Sequence, residues 1–183
     1  MHRLLSTLVL LGSLFSVGSS GAADTSERAS HGMGTSKSAQ MLLKLGDLRT
    51  NPELERLTGA LESASRQALG ELPGVRLLDS GEDASAAVKK RKPPVVLITG
   101  KLVEMGQKKD GKEVLISAKV EYFVHRLPGE SIAAVVSGVA TARVAPAQVE
   151  KRPLRERLER SIIAAAVESA VKRTPQALKA AMK

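Results

Sequence analysis

The chain has no cysteine and no tryptophan among its 183 residues. Without thiols there can be no disulfide, no thiolate zinc site and no lipid-bearing N-terminal cysteine, so the fold must be held by its hydrophobic core. Aromatic residues are almost as scarce: one Tyr and two Phe, namely Phe15, Tyr122 and Phe123. A stacking platform for single-stranded nucleic acid needs several exposed rings along a basic groove, so nucleic acid is not an expected partner. Histidine occurs three times, at His2, His31 and His125, too sparsely for ordinary metal-ligand spacing. No apolar run reaches the roughly 20 residues that span a bilayer.

What is present begins with "MHRLLSTLVLLGSLFSVGSSGAAD". Arg3, an apolar stretch from Leu4 to Val17 and a run of small residues follow the three-part plan of a secretory signal peptide, with cleavage after Ala22 or Ala23. Residues 1–23 are therefore set apart from the fold, and the mature protein is expected in the periplasm or outside the cell. Residues 24–40, "DTSERASHGMGTSKSAQ", have no apolar period and read as a flexible tether. Residues 41–183 are long enough for one domain with its own core. The net charge of +9, reduced by one when Arg3 departs, suits contact with an acidic protein, an anionic cell-wall polymer or a membrane surface.

Within the domain, "MLLKLGDL" (41–48) reads as a strand. Asn51 and Pro52 open a helix carrying Leu54, Leu57, Leu61, Ala64, Ala68 and Leu72 at helical spacing, and Pro73–Gly74 close it. "VRLLD" from Val75 is a second strand, expected to lie parallel to the first. A short helix after Ser80 has Glu82 and Asp83 at its start and Lys89, Lys90, Arg91 and Lys92 at its end, signs that suit the helix dipole.

The next three segments form an antiparallel meander. In "EVLISAKVEYFV" (113–124) the even positions Val114, Ile116, Ala118, Val120, Tyr122 and Val124 are apolar, which marks a half-buried strand. A three-residue loop of Lys109, Asp110 and Gly111 sets Val96, Ile98, Gly100 and Leu102 opposite Val124, Tyr122, Val120 and Ala118, and keeps Lys101 out of the core. Through Pro128, Gly129 and Glu130, parity places Ile132, Ala134, Val136, Gly138, Ala140 and Ala142 on the same face. Those small residues admit a close helix, supplied by Pro153 to about Arg173 and interrupted by Pro175. The expected fold is α/β: a single mixed sheet of about five strands in the order strand, helix, strand, short helix, three-strand antiparallel meander and C-terminal helix, with helices on one face. Gly100 is expected to relieve crowding against the helix layer.

No catalytic set emerges. There is no Gly-x-Ser-x-Gly elbow, "GMG" (32–34) and "TGK" (99–101) lack the context of phosphate loops, and no spacing joins His125 to a partner. The expectation is therefore a non-enzyme without cofactor or metal, with an unrecognised hydrolase as a remote alternative.

The stretches "LERLTGALESASRQALGELPGVRLLD", "PPVVLITGKLVEM", "VSGVATARV" and "LERSIIAAAVESAVKRTPQAL", in that order, resemble a group of bacterial envelope domains. The group includes the curli-secretion lipoprotein family, the outer-membrane activators of penicillin-binding proteins and the N-terminal domain of the Tol-system periplasmic protein. The resemblance implies a non-catalytic role in binding partner proteins or in assembly. This chain departs from the lipoprotein members by lacking the lipid-bearing cysteine, and from the curli channel by lacking segments long enough for spanning hairpins. Candidate contact residues are the basic run Lys89, Lys90, Arg91 and Lys92, and the odd positions Lys119, Glu121, Phe123 and His125, on the sheet face away from the helices. The expected partner is an envelope protein, with electrostatic attachment to an acidic cell-wall polymer or membrane surface as the alternative.

Overall fold

The computed structural model of the chain describes residues 40–79, 81–82, 85–90, 93–129 and 131–181. The leader, the tether up to residue 39, and Arg91 and Lys92 lie outside them.

Strand β1 (Met41–Thr50) leads through a 3-10 segment (Pro52–Leu57) into α1 (Thr58–Gly70) and β2 (Val75–Leu77). After α2 (Ser85–Lys90) come three long strands, β3 (Val95–Asp110), β4 (Glu113–Arg126) and β5 (Ser131–Val144). The chain then turns through α3 (Pro146–Glu150), α4 (Arg152–Val171) and α5 (Thr174–Ala181). The five strands form one mixed sheet in the order β2-β1-β3-β4-β5. Strand β1 is parallel to both β2 and β3, and the β3–β4–β5 meander is antiparallel. This is the α/β order read from the sequence.

Local details differ. The Asn51 side chain makes no capping bond; the first turn winds as 3-10, closed by the Leu54 N–H on the Asn51 carbonyl at 2.8 Å, and the α-helix starts at Thr58, whose hydroxyl meets that of Thr50 at 2.9 Å. Glu82 does not serve the start of α2 but grips Arg76 of β2 through two bonds of 2.7 and 3.2 Å. Pro175 does interrupt the C-terminal helix, yet it then occupies the first turn of α5, where a missing N–H costs nothing. Helix α5 buries Thr174, Ala177, Leu178 and Ala181.

The meander corrects the expected register while keeping its faces. Strands β3 and β4 join at Gly111–Lys112, with Asp110 opposite Glu113, and Gly111 takes the left-handed φ of +62° that such a tight turn needs. That turn alone would bring Lys101 onto the core side. A bulge between Leu102 and Glu104 restores the parity, so Ile98, Gly100 and Leu102 face Val124, Tyr122 and Val120. A second irregularity, opposite Val124/His125, overturns the expected burial of Ile132. It pairs with His125 on the other face and is 58% exposed.

The core lies between the inner sheet face and the helices. Leu61 and Leu69 of α1 meet Leu43, Ile98, Val120, Tyr122 and Val124 of the sheet, together with Ile163, Ala166, Val167 and Ala170 of α4. A β-carbon on Gly138 would collide with the backbone of Ala166 and Ala170, so α4 lies directly on β5, as the run of small residues requires. Gly100 has a different neighbour from the one expected: a β-carbon there would strike the Tyr122 ring at 2.6 Å, so this glycine makes room for the tyrosine rather than for a helix. A smaller apolar cluster, Leu42, Leu78 and Val95, sits at one end of the opposite face with Val88 of α2 and Leu127 against it.

Among the described residues, one buried position is charged. Glu159 of α4 is 7% exposed, and both its carboxylate oxygens accept bonds from the Arg56 guanidinium, at 2.5 and 2.8 Å. The pair ties α4 to the 3-10 segment.

Candidate binding surface

Alternation along β4 puts Lys119, Glu121, Phe123 and His125 on the outer face, each partly exposed, while Val120, Tyr122 and Val124 are buried behind them. All four sequence candidates on this strand are therefore brought together. Lys89 and Lys90 are exposed at the end of α2, a separate element.

Residues that sequence reasoning did not single out complete the surface. Lys101 of β3 lies opposite Glu121, 3.5 Å from its carboxylate, with its ammonium 5.6 Å from the centroid of the Phe123 ring. A cation over an aromatic face at that distance is attracted by the ring quadrupole. Lys119 reaches the same carboxylate at 3.0 Å. The hydrogen bond from Lys119 holds the Glu121 carboxyl below the usual carboxylate range, against a smaller opposing effect of burial. Glu121 is thus an acceptor fixed between two lysines. His125 Nε2 lies 3.0 Å from the Thr99 hydroxyl.

On the other side, Phe123 faces Val135 and Lys119 faces Val139 across the β4–β5 ladder. Both valines, together with Ile132, are more than half exposed. Strand β5 is the edge of the sheet, so the outer face carries an apolar row from Phe123 to the edge, bordered by Lys101, Lys119 and Glu121. The parity that places Phe123 outside applies equally to Val135 and Val139, and that was the available signal. Ile132 could not be found that way, because its exposure depends on the bulge.

Two clefts among the described residues lie elsewhere. One of about 450 Å³ is lined by Met41, Leu72, Val75, Pro94, Pro175 and Leu178, among others. Another of about 430 Å³ lies by Val88, Val95, Arg126, Leu127 and Pro128. Neither includes Glu121 or His125. Among the described residues, no three His, Asp or Glu side chains gather as a metal site, and no helix is long and apolar enough to cross a membrane.

No family model matches the chain, and no curated protein matches it in sequence. Solved structures do. A DUF330-family protein from Xanthomonas campestris is similar with a TM-score of 0.50 at 8% identity, over 78% of this chain and 86% of that one. A minor lipoprotein from Acinetobacter baumannii (TM-score 0.43, 15% identity) covers 75% of this chain and 94% of its own. The lipoprotein GNA1162 from Neisseria meningitidis (TM-score 0.36, 8% identity) covers 67% and 95%. At these identities the first likeness establishes a shared fold and nothing about activity.

Proposed function

We propose that this protein is a non-enzymatic binding or assembly module of the bacterial envelope, of the kind exemplified by the curli-secretion, penicillin-binding-protein activator and Tol domains, and that it holds a partner protein against the outer face of β4 and β5. The observation that carries this reading is the apolar row of Phe123, Val135 and Val139, left open beside the edge of the sheet and framed by charge. Protein interfaces favour an aromatic or aliphatic centre with a polar rim. The polar groups of this face engage one another: Glu121 with two lysines and His125 with Thr99. That favours recognition over turnover. The leader read in residues 1–23 supports the envelope as the place of action.

The test is a photoreactive amino acid placed at Val139 in intact cells, compared with one at Ser63, an exposed position of α1. Discrete protein adducts from position 139 and none from position 63 support the reading. Adducts from neither position, or equally from both, count against it, as does turnover of a small substrate by the purified protein.

A further inference from the structure

Strand β5 is an edge with little protection along most of its length, its bulge lying at the start beside Ile132. Edge strands that stay single are commonly blunted by charged side chains or proline, yet from Ser131 to Ala142 this one, "SIAAVVSGVATA", contains neither. Its fourteen residues extend roughly 45 Å at about 3.3 Å per residue. Among the described residues, its outer edge faces no other strand.

We propose that the occupant of this edge is the β5 strand of a second copy of the chain, paired antiparallel about a two-fold axis at Ser137. Three observations support that register. An axis at Ser137 sets Val135 opposite the copy's Val139, and Val139 opposite its Val135. Each exposed valine, 56% and 55% accessible, then gains a cross-strand partner of its own kind, the unit of sheet stabilisation. On the inner face, Val136 meets the copy's Gly138, large against small. Arg143, the one charged side chain of the strand, is six residues from the axis, so the two copies of it end about 40 Å apart, far beyond the screening length. A second copy satisfies its own surface twice in such an isologous contact.

The Ser137 carbonyl points outward, since it accepts a bond from the Arg173 guanidinium at 3.4 Å. In the dimer it would accept the copy's Ser137 N–H instead. Two Arg173 side chains would then stand near the axis, so Arg173 acts as a guard that opposes pairing through like charge and by occupying the carbonyl. This inference names a self-partner for the edge and extends the proposed function, whose envelope partner would then meet a sheet of doubled width. Purified protein tests it without that partner.

Because the chain has no cysteine, single thiols report the register. In protein purified as the cell matures it, Ser137→Cys should give a disulfide dimer under mild oxidation, as residues paired across such an axis lie about 5.5 Å apart between α-carbons. Val135→Cys alone should not, its two copies being offset by about 13 Å, but Val135→Cys mixed with Val139→Cys should crosslink. In sedimentation, Arg173→Ala should tighten self-association by about tenfold, as should raised salt for the native chain, by removing like-charge repulsion. Failure of Ser137→Cys to crosslink, equal crosslinking of all the single variants, or a monomer in which Arg173→Ala changes nothing would overturn the proposal. The adducts formed at Val139 in cells would still be judged separately, by the mass of the protein captured.

Discussion

The hydroxyls of Tyr122 and Ser65 lie 2.5 Å apart, between the middle strand of the meander and α1. Ser65 gives its only hydroxyl proton to the carbonyl of Leu61 at 2.6 Å, so the tyrosine is the donor of the shared bond. Tyr122 is fully buried and has satisfied its polar end within the core. Removing the hydroxyl alone, in Tyr122→Phe, should cost about 1 kcal/mol, while Tyr122→Ala should cost about 3–5 kcal/mol. Urea unfolding of the two variants checks the ratio.

The same burial gives a pH signature. Desolvation pushes the Tyr122 phenol up to about 12, against a smaller downward pull from the Ser65 bond. In the unfolded chain it ionises near 10. Its contribution to stability is complete below pH 10 and is lost as pH rises towards 12, because the unfolded state releases the proton first. The stability difference between the native chain and Tyr122→Phe should therefore move by about 2–3 kcal/mol between pH 9 and 12, enough to reverse the native chain's small advantage. A constant difference over that interval would contradict the buried phenol.

Arg56 and Glu159 should respond unequally to truncation. The Glu159 side chain is 9% accessible and that of Arg56 is 51%. Arg56→Ala leaves a buried carboxylate without its cation and should cost about 2 kcal/mol, while Glu159→Leu, which releases a half-exposed guanidinium to water, should cost less than half of that. Thermal denaturation of both variants reads the order.

Gly138 is the contact point between β5 and α4. Gly138→Ala must push α4 off the sheet, and should destabilise by about 3 kcal/mol or more. Gly129→Ala, where a β-carbon meets nothing within 4 Å, is the matched control and should be close to neutral in the same unfolding assay.

These positions show what the sequence made legible. Period-two alternation on β4 and the helical spacing on α1 and α4 depend on local pattern, and they fixed the faces, the order of elements and the row from Lys119 to His125. Register depends on where a ladder skips a residue. The bulge near Val103 compensated for the wrong loop choice, whereas the one beside Ile132 exposed a residue expected in the core. Glu159 was invisible because its partner is 103 residues away. Lys101 was placed on the outer face by parity, but its contact with Phe123 required knowing which residue lies across the ladder.

Charge and shape make separable contributions to attachment. Replacing Lys89, Lys90, Arg91 and Lys92 with Gln should reduce retention on anionic liposomes at low salt, an effect that vanishes as ionic strength rises. The same variant should keep the adducts formed through Val139. Loss of those adducts would move the contact from the sheet to the basic run.

The most direct test of the account is the single change Phe123→Ala, read by photocrosslinking from Val139 in intact cells. Phe123 is partly exposed on the outer face, so the fold should survive with a loss of about 1 kcal/mol or less, verified by unfolding. If the row centred on Phe123 grips a partner, adduct yield should fall at least about fivefold, the effect of losing one interface anchor. A folded Phe123→Ala protein with an unchanged adduct profile would contradict it.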